Sequence, residues 1–368
     1  MAGRIVLFGA TGYTGELTAR QLAGIGERPV LAARSESRVR ALAEELGGLG
    51  WAVADVSRPE TVRALVERGD VLVSCVGPFT RWGGPAVEAA IGAGAHYLDS
   101  TGETPFIRRV FEEHGPRAAA AGCALVTAMG YDWVPGNLAG ALALRDAGEG
   151  ATRVEIGYFV EGGGGAGAMS GGTRASAAGV FLAPSFAYRG GRIVTERSGA
   201  RVRPFVVDGR RRKAISAGSS EHFGLPSSFP GLRDVDVYLG WFGDASDALR
   251  VVAAGVSLAA RVPGLRAALG EVVTRTVTGS SGGPDAEARA QSGSVVVAEA
   301  SDATGRVRAR VGLAGVNGYD FTAGMLAWGA RAAAAGRVHG VGALGPVAAF
   351  GLDPLCEGVR SAGIERDA

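Results

Sequence analysis

A run of apolar residues, Ile5-Val6-Leu7-Phe8, passes directly into three glycines, Gly9, Gly12 and Gly15. From there to about residue 147, short apolar runs alternate with helix-like stretches. The runs that read as strands are Ile5–Phe8, Pro29–Ala33, Trp51–Ala54, Val71–Cys75, His96–Leu98 and Ala124–Ala128. Helices are predicted near Gly15–Gly24, Ser37–Leu46, Pro59–Arg68, Pro85–Ala93, Phe106–Ala121 and Gly136–Ala147. Near-continuous apolar strands separated by helices of about ten residues imply a parallel sheet covered on both faces. The expected fold class is α/β, a Rossmann-type doubly wound parallel sheet.

The pattern changes after Gly148-Glu149-Gly150. Strands are predicted at 152–160, Arg192–Glu196, Val202–Val207, Asp236–Trp241, Ser294–Ala300 and Val307–Gly312. Arg189-Gly190-Gly191 and Asp208-Gly209 carry hairpin signals between them. Thr173–Leu182 and parts of Ser246–Leu269 look helical, and Gly279–Gln291 reads as an exposed loop. This is an inserted α+β domain with a mixed or antiparallel sheet. From Asp320 an alanine-rich helix, Thr322–Ala335, and an apolar tail return towards the first domain. The expected division is a dinucleotide-binding domain of residues 1–147, with 320–368 packing back on it, and a substrate or dimerisation domain of residues 148–319.

Composition narrows the function classes. A chain of 368 residues exceeds what one core usually supports. A formal net charge of +2 lacks the basic footprint that nucleic acid or an anionic membrane requires. The three cysteines, Cys75, Cys123 and Cys356, form no C-x-x-C pair, so no metal site or disulfide framework is expected. No signal peptide is read at the start and no apolar run approaches about 20 residues, so a cytoplasmic protein is expected. The partners this leaves are a small-molecule or carrier-bound substrate and, through the second domain's sheet, a homodimer.

The order strand, glycine turn, helix presents backbone N–H groups to a pyrophosphate. Gly9 permits the tight turn, Gly12 lets the backbone approach phosphate, and Gly15 allows close helix packing. Thr11 and Thr14 add hydroxyl donors, with Tyr13 between them. The second strand ends in Arg34-Ser35, with no acid before Glu36. A cation and a hydroxyl at that position favour the 2′-phosphate of NADP(H) over the ribose hydroxyls of NAD(H). Asp55 follows the third strand, where it meets the adenine edge or caps the next helix. Val76-Gly77-Pro78-Phe79 ends the fourth strand, beside the pyrophosphate and inner ribose.

Further segments form an ordered series: Gly84-Pro85-Ala86-Val87-Glu88-Ala89, Thr101-Gly102-Glu103, Gly130-Tyr131-Asp132-Trp133-Val134-Pro135 and Ser170-Gly171-Gly172-Thr173. With them the chain resembles the saccharopine dehydrogenase-like family, and within it the actinobacterial trans-acting enoyl reductases. The resemblance is strong over residues 4–176 and general beyond. It implies an NAD(P)-binding domain with an inserted α+β domain. The family's glycine motif falls on Gly9, Gly12 and Gly15, and its G-P-[FY] turn on Gly77, Pro78 and Phe79. This chain departs from it at Trp133, where most relatives carry Ser, and at Gly136-Asn137, where Ser-Asp is common. A bulkier, less charged pocket is the expected result.

Hydride transfer needs a nicotinamide held close to the acceptor carbon and a proton donor. Tyr131 and Asp132 follow the sixth strand, at the carboxyl edge where ligands bind in open parallel sheets. His222 is a third catalytic candidate, in the second domain, whereas His96 opens a strand at the opposite edge and reads as structural. Asp132 either orients Tyr131 or caps the helix at Pro135. Ser170, Gly171, Gly172 and Thr173 open a helix, as a plain cap or to hold a substrate carboxylate or thioester carbonyl, and Trp133 lines the same pocket. The literal G-x-S-x-G at Gly279–Gly283 lacks the strand-to-helix context of a nucleophile elbow.

The expected activity is NADPH-dependent reduction of an enoyl thioester or related intermediate. The alternatives are an imine or carbonyl reductase, a saccharopine-type amine dehydrogenase, and a non-catalytic NADP-binding sensor or scaffold.

Overall fold

The computed structural model describes residues 3–162, 184–259 and 282–367. In chain order its first elements are β1 (Ile5–Phe8), α1 (Tyr13–Gly24), β2 (Val30–Ala33), α2 (Glu36–Glu45), β3 (Trp51–Val53), α3 (Pro59–Arg63) and β4 (Val71–Ser74). Next come α4 (Phe79–Trp82), α5 (Gly84–Ala93), β5 (His96–Asp99), α6 (Thr104–Arg109), a π-helical turn (Val110–His114), α7 (Gly115–Ala121) and β6 (Ala124–Val126). They are followed by α8 (Val134–Ala147), β7 (Ala151–Gly162), β8 (Ser185–Arg189), β9 (Arg192–Glu196), β10 (Val202–Val207), β11 (Arg210–Ser216), α9 (Glu221–Ser228) and β12 (Asp234–Leu239). The last are α10 (Ser246–Ala259), α11 (Ala286–Ala290), β13 (Ser292–Asp302), β14 (Val307–Gly315), α12 (Gly318–Ala334), β15 (Gly342–Ala343), α13 (Pro346–Phe350), α14 (Leu352–Ser361) and β16 (Ile364–Arg366).

Two compact units result. The first comprises Met1–Gly102, Phe106–Val134 and Gly318–Gly363; the second takes Glu103–Pro105, Pro135–Asn317 and Ile364–Ala368. All seven strands of the first unit are parallel, in the order β15-β6-β5-β4-β1-β2-β3. Every residue of β1 and β4 is buried, which is why these strands are unbroken apolar runs. The strand order reverses between β1 and β4, which pair from Ile5↔Val71 to Phe8↔Ser74. Such a reversal is where open α/β sheets bind ligands, at the carboxyl ends of the strands. Helix α12 packs on α1, β4 and β5. Its Ala334 carbonyl accepts from the Gly3 amide beside the start of β1, so its first turn lies at the opposite, carboxyl edge.

In the second unit the sheet order is β10-β11-β12-β7-β13-β14-β16, with β8 attached to β12 and β9 to β8. The β12–β7 pair is parallel and its neighbours are antiparallel, so the sheet is mixed. Tight turns at Gly190-Gly191 and Asp208-Gly209, all with positive φ, close the β8–β9 and β10–β11 hairpins. Phe159, Phe205 and Tyr238 form its aromatic core, with ring centroids 5.8 and 5.6 Å apart.

Two expectations need correction. The stretch Gly279–Gln291 is not wholly a loop: Ala286–Ala290 is helical, and Asp285 caps it by accepting from the Ala288 amide (2.9 Å). The single predicted helix Phe106–Ala121 is broken at Val110–His114 by the π-helical turn. The predicted helix Thr173–Leu182 lies outside the described residues.

Candidate functional site

The glycine turn sits at the strand-order reversal. Gly9 has φ +86°, a conformation open to glycine, and a Cβ there would lie 2.8 Å from Val76 Cγ2 and 3.1 Å from the Cys75 carbonyl carbon. A Cβ on Gly15 would lie 2.1 Å from the Gly9 oxygen, so α1 reaches the turn only with hydrogen at that position. Gly12 is the N-cap of α1 and brings no capping side chain. Its own Cβ position meets only the Gly9 oxygen, at 3.3 Å. Bare backbone, a helix N-terminus and the switch point coincide here, and this arrangement fits a dinucleotide pyrophosphate. Tyr13 places its ring edge-on to Tyr319 of α12, with centroids 5.1 Å apart. The Thr14 carbonyl accepts from the Thr18 hydroxyl (2.8 Å), and Thr11 and Thr14 of the turn are half-buried. On the β4 side, Gly77 and Pro78 enter α4 through a cis peptide bond. Phe79 is buried against Phe106, 5.5 Å between centroids, so it seats this turn from below.

At the end of β2, Arg34 is exposed and Ser35 is the N-cap of α2. The Ser35 hydroxyl makes no capping bond and lies 3.4 Å from that of Ser37. Asp55 accepts from the amide and hydroxyl of Ser57 (2.9 and 2.8 Å). Those two bonds, with the nearby Arg58 and Arg34, hold its carboxyl below the ordinary range. One residue that the sequence reading passed over joins this group: Arg38 of α2 donates through Nη2 to the carbonyl of Thr11 in the glycine turn (2.8 Å).

The segment after β6 is organised by Asp99, at the end of β5. Its carboxylate accepts from the amides of Thr101 and Ala128 (2.9 Å each) and from the Thr127 hydroxyl (2.8 Å). Ala128 is held with φ +60°, and the Met129 amide donates to the Asp99 carbonyl (2.7 Å). Burial pushes the Asp99 carboxyl up to about 6, against the pull of those donors. An acid closing a buried parallel strand was the sequence signal for this knot. Beyond it Tyr131 and Asp132 diverge. The Tyr131 amide donates to Thr322 (3.0 Å) and its ring lies against Gly318 and Phe321 of α12. Asp132 turns towards Gly102, where a methyl group would lie 2.7 Å from Oδ2. Asp132 Oδ1 is inaccessible and accepts no hydrogen bond among the described residues. Desolvation pushes this carboxyl up to about 7. Trp133 is buried and follows Asp132 through a second cis peptide bond.

In the second unit His222 is buried near the start of α9. The Ser219 amide donates to its Nδ1 (3.2 Å), and its ring meets Phe186 edge-on at 5.5 Å. Burial lowers its pKa to about 4, so the ring is neutral at pH 7. Gly136 explains one departure from the family pattern. Its amide donates to the Tyr158 hydroxyl (2.7 Å), which donates to Glu221 (2.6 Å). A Cβ at Gly136 would fall 2.2 Å from that hydroxyl, so a serine does not fit here. Asn137 donates to Ser220 Oγ (2.9 Å) in the same buried layer. Ser170, Gly171, Gly172 and Thr173 lie outside the described residues. Among the described residues no helix is long and apolar enough to cross a membrane.

Comparison with known proteins finds relatives of the part of the chain that carries this geometry. Residues 5–126 match the saccharopine dehydrogenase NADP binding domain. The trans-acting enoyl reductase of Mycobacterium leprae is 43% identical over 141 residues, 36% of this chain and 34% of that protein. Its namesake in Mycobacterium ulcerans is 42% identical over 140 residues, again 36% and 34%. The chain thus matches about a third of the length of these curated relatives. Among solved structures, apo saccharopine dehydrogenase (L-Glu forming) from Saccharomyces cerevisiae covers 100% of both chains with a TM-score of 0.62 at 14% identity. Residues 5–126 thus resemble a saccharopine dehydrogenase NADP binding domain, carried in a chain whose fold is similar to that of a saccharopine dehydrogenase.

Proposed function

We propose that this protein is an NADPH-dependent reductase acting by hydride transfer, with the C=C bond of an enoyl thioester as its first substrate class. The observation that carries the reading is the bare glycine turn at the β1–β4 strand reversal, within a domain that matches an NADP-binding family. The names of the mycobacterial relatives favour the enoyl substrate. The bound dinucleotide supplies the hydride.

The chain's own residues do the rest. Gly9, Gly12 and Gly15 hold the pyrophosphate against the start of α1, and Arg34 and Ser35 meet the 2′-phosphate. Gly77 leaves backbone open to the inner ribose: the nearest atoms to its Cβ position are those of the Phe79 ring, at 3.5 Å, and the Phe79 amide, at 3.8 Å. Asp132 is the proton-holding group. Its carboxyl is protonated below about pH 7 and carries no competing hydrogen bond at Oδ1. As hydride reaches the β carbon, the Asp132 proton passes to the α carbon and leaves a carboxylate behind. Tyr131, on the neighbouring position, steadies the charge that gathers on the thioester oxygen. The same proton would serve an imine nitrogen or a carbonyl oxygen.

The test is NADPH oxidation with a panel of enoyl, imine and keto thioesters and their free acids. Turnover of an enoyl member is expected, with Asp132→Asn losing about 10²–10⁴-fold in kcat. Turnover of no member, with NADPH binding intact, would make the protein a non-catalytic NADP-binding sensor and overturn the proposal.

A further inference from the structure

We infer that Arg38, acting from a bond to the glycine turn itself, is the residue that selects a dinucleotide bearing an extra phosphate on its adenosine ribose. The inference rests on the cofactor reading above and assigns the discrimination to a residue outside the Arg34-Ser35 pair.

Arg38 lies in the first turn of α2, three residues after the N-cap Ser35 and on the same side of the helix. A cation there opposes the helix dipole, which favours anions at an N-terminus. Neighbouring arginines are neutralised: Arg20 pairs with Glu16 and Glu45, and Arg40 with Glu44. The charge of Arg34 is felt by Asp55. Among the described residues Arg38 pairs with no carboxylate; its Nη2 donates to the neutral carbonyl of Thr11 (2.8 Å) and the side chain is otherwise exposed. Glu36 shares the first turn of α2, but Arg38 is in no ion pair among the described residues and is tied to the loop that takes the pyrophosphate.

A guanidinium has five N–H donors in a planar fork. One is engaged by Thr11, which leaves the others for the oxygens of a phosphate at the end of β2. A phosphate on the ribose gives Arg38 the anionic partner it lacks among the described residues and binds it without releasing the glycine turn. A ribose without that phosphate leaves Arg38 as a strut for the turn alone. Arg38 thus joins recognition of the adenosine end to the shape of the pyrophosphate site.

The test is calorimetric titration of wild type, Arg38→Ala, Arg38→Lys and Arg34→Ala with 2′,5′-ADP, 5′-AMP, NADPH and NADH. For Arg38→Ala a loss of about tenfold or more is expected for 2′,5′-ADP and NADPH, with 5′-AMP and NADH changed less than about twofold. Arg38→Lys recovers part of the loss, because it keeps the charge without the fork. Equal losses for phosphorylated and unphosphorylated ligands would overturn the inference and leave Arg38 a structural strut. So would an undiminished preference for NADPH in Arg38→Ala with its loss in Arg34→Ala. Wild type that binds NADH as tightly as NADPH, or binds neither, overturns the cofactor reading instead, and the comparison of variants separates the two failures.

Discussion

Two aspartates at the same edge of the parallel sheet show how local partners set a carboxyl's chemistry. Asp99 is fully buried and accepts from three donors, so it acts as a structural knot. Asp132 has no partner for Oδ1 among the described residues and is pushed higher, to about 7. In the unfolded chain its carboxyl titrates near the ordinary aspartate value of 3.8. The fold therefore binds the Asp132 proton more tightly, and its contribution to stability is lost as pH rises from about 4 through about 7. Asp132→Asn, neutral at every pH, should be more stable than wild type at pH 8 by on the order of 3 kcal/mol while losing turnover. Asp99→Ala should do the opposite to the fold, losing about 3 kcal/mol or more because three buried donors are orphaned. Urea unfolding at pH 6 and pH 8 measures both. An Asp132→Asn protein destabilised as much as Asp99→Ala would make Asp132 a second structural knot. Wild-type kcat should also fall above about pH 7, as Asp132 loses its proton, and this fall should be absent from the residual activity of Asp132→Asn.

At the scale of the element, the glycine turn separates a packing role from a binding role. A methyl at Gly15 collides with backbone at 2.1 Å, whereas one at Gly12 meets only an oxygen at 3.3 Å. Gly15→Ala should lower thermal stability by several degrees, about 2 kcal/mol or more, because α1 must move off the turn. Gly12→Ala should keep its melting temperature within a few degrees and lose NADPH affinity at least about tenfold, since the added methyl stands where phosphate approaches. Equal affinity in Gly12→Ala and wild type would place the phosphate elsewhere. The turn was legible in the sequence because β1 and β4 are buried on both faces, and such strands carry an unbroken apolar signal. β11 was less legible, because it opens with Arg210-Arg211-Arg212-Lys213. That charged opening masks a strand in which Arg212 lies over the Phe159 ring (4.9 Å) and Lys213 pairs with Asp247 (2.7 Å). Arg38 escaped for a similar reason. Its partner is a carbonyl 27 positions away, and no local pattern marks a side chain that bonds to distant backbone.

Across the whole molecule, buried histidines act against buried carboxyls in setting how acid affects stability. The chain has four, and burial lowers the pKa of His96, His114 and His222. His96 accepts from the Ala124 amide (3.2 Å) in the first unit, which agrees with the structural role expected for it. His222, in the second unit, has the largest displacement of the three, to about 4 from the ordinary histidine value of 6.5. Sequence position made it a catalytic candidate; its burial against Phe186 and its bond from Ser219 were not visible there, because they depend on how β8 and α9 pack. A histidine with a lowered folded pKa is neutral in the fold and gains its proton first in the unfolded chain. The contribution of His222 is then complete above about pH 6.5 and falls as pH drops towards 4, since at this residue the unfolded chain takes up the proton first; the buried carboxyls of Asp132 and Asp99, raised to about 7 and about 6, act in the opposite sense. His222 alone should remove about 3 kcal/mol between pH 7 and pH 4. His222→Gln, which does not titrate, should gain stability relative to wild type as pH falls over that range, even if it is less stable at pH 7. Denaturant midpoints measured at half-unit steps from pH 7 to pH 4 would show it. A His222→Gln curve parallel to wild type would mean that the imidazole takes up its proton within the fold, and His222 would then regain its standing as a proton carrier in the reaction.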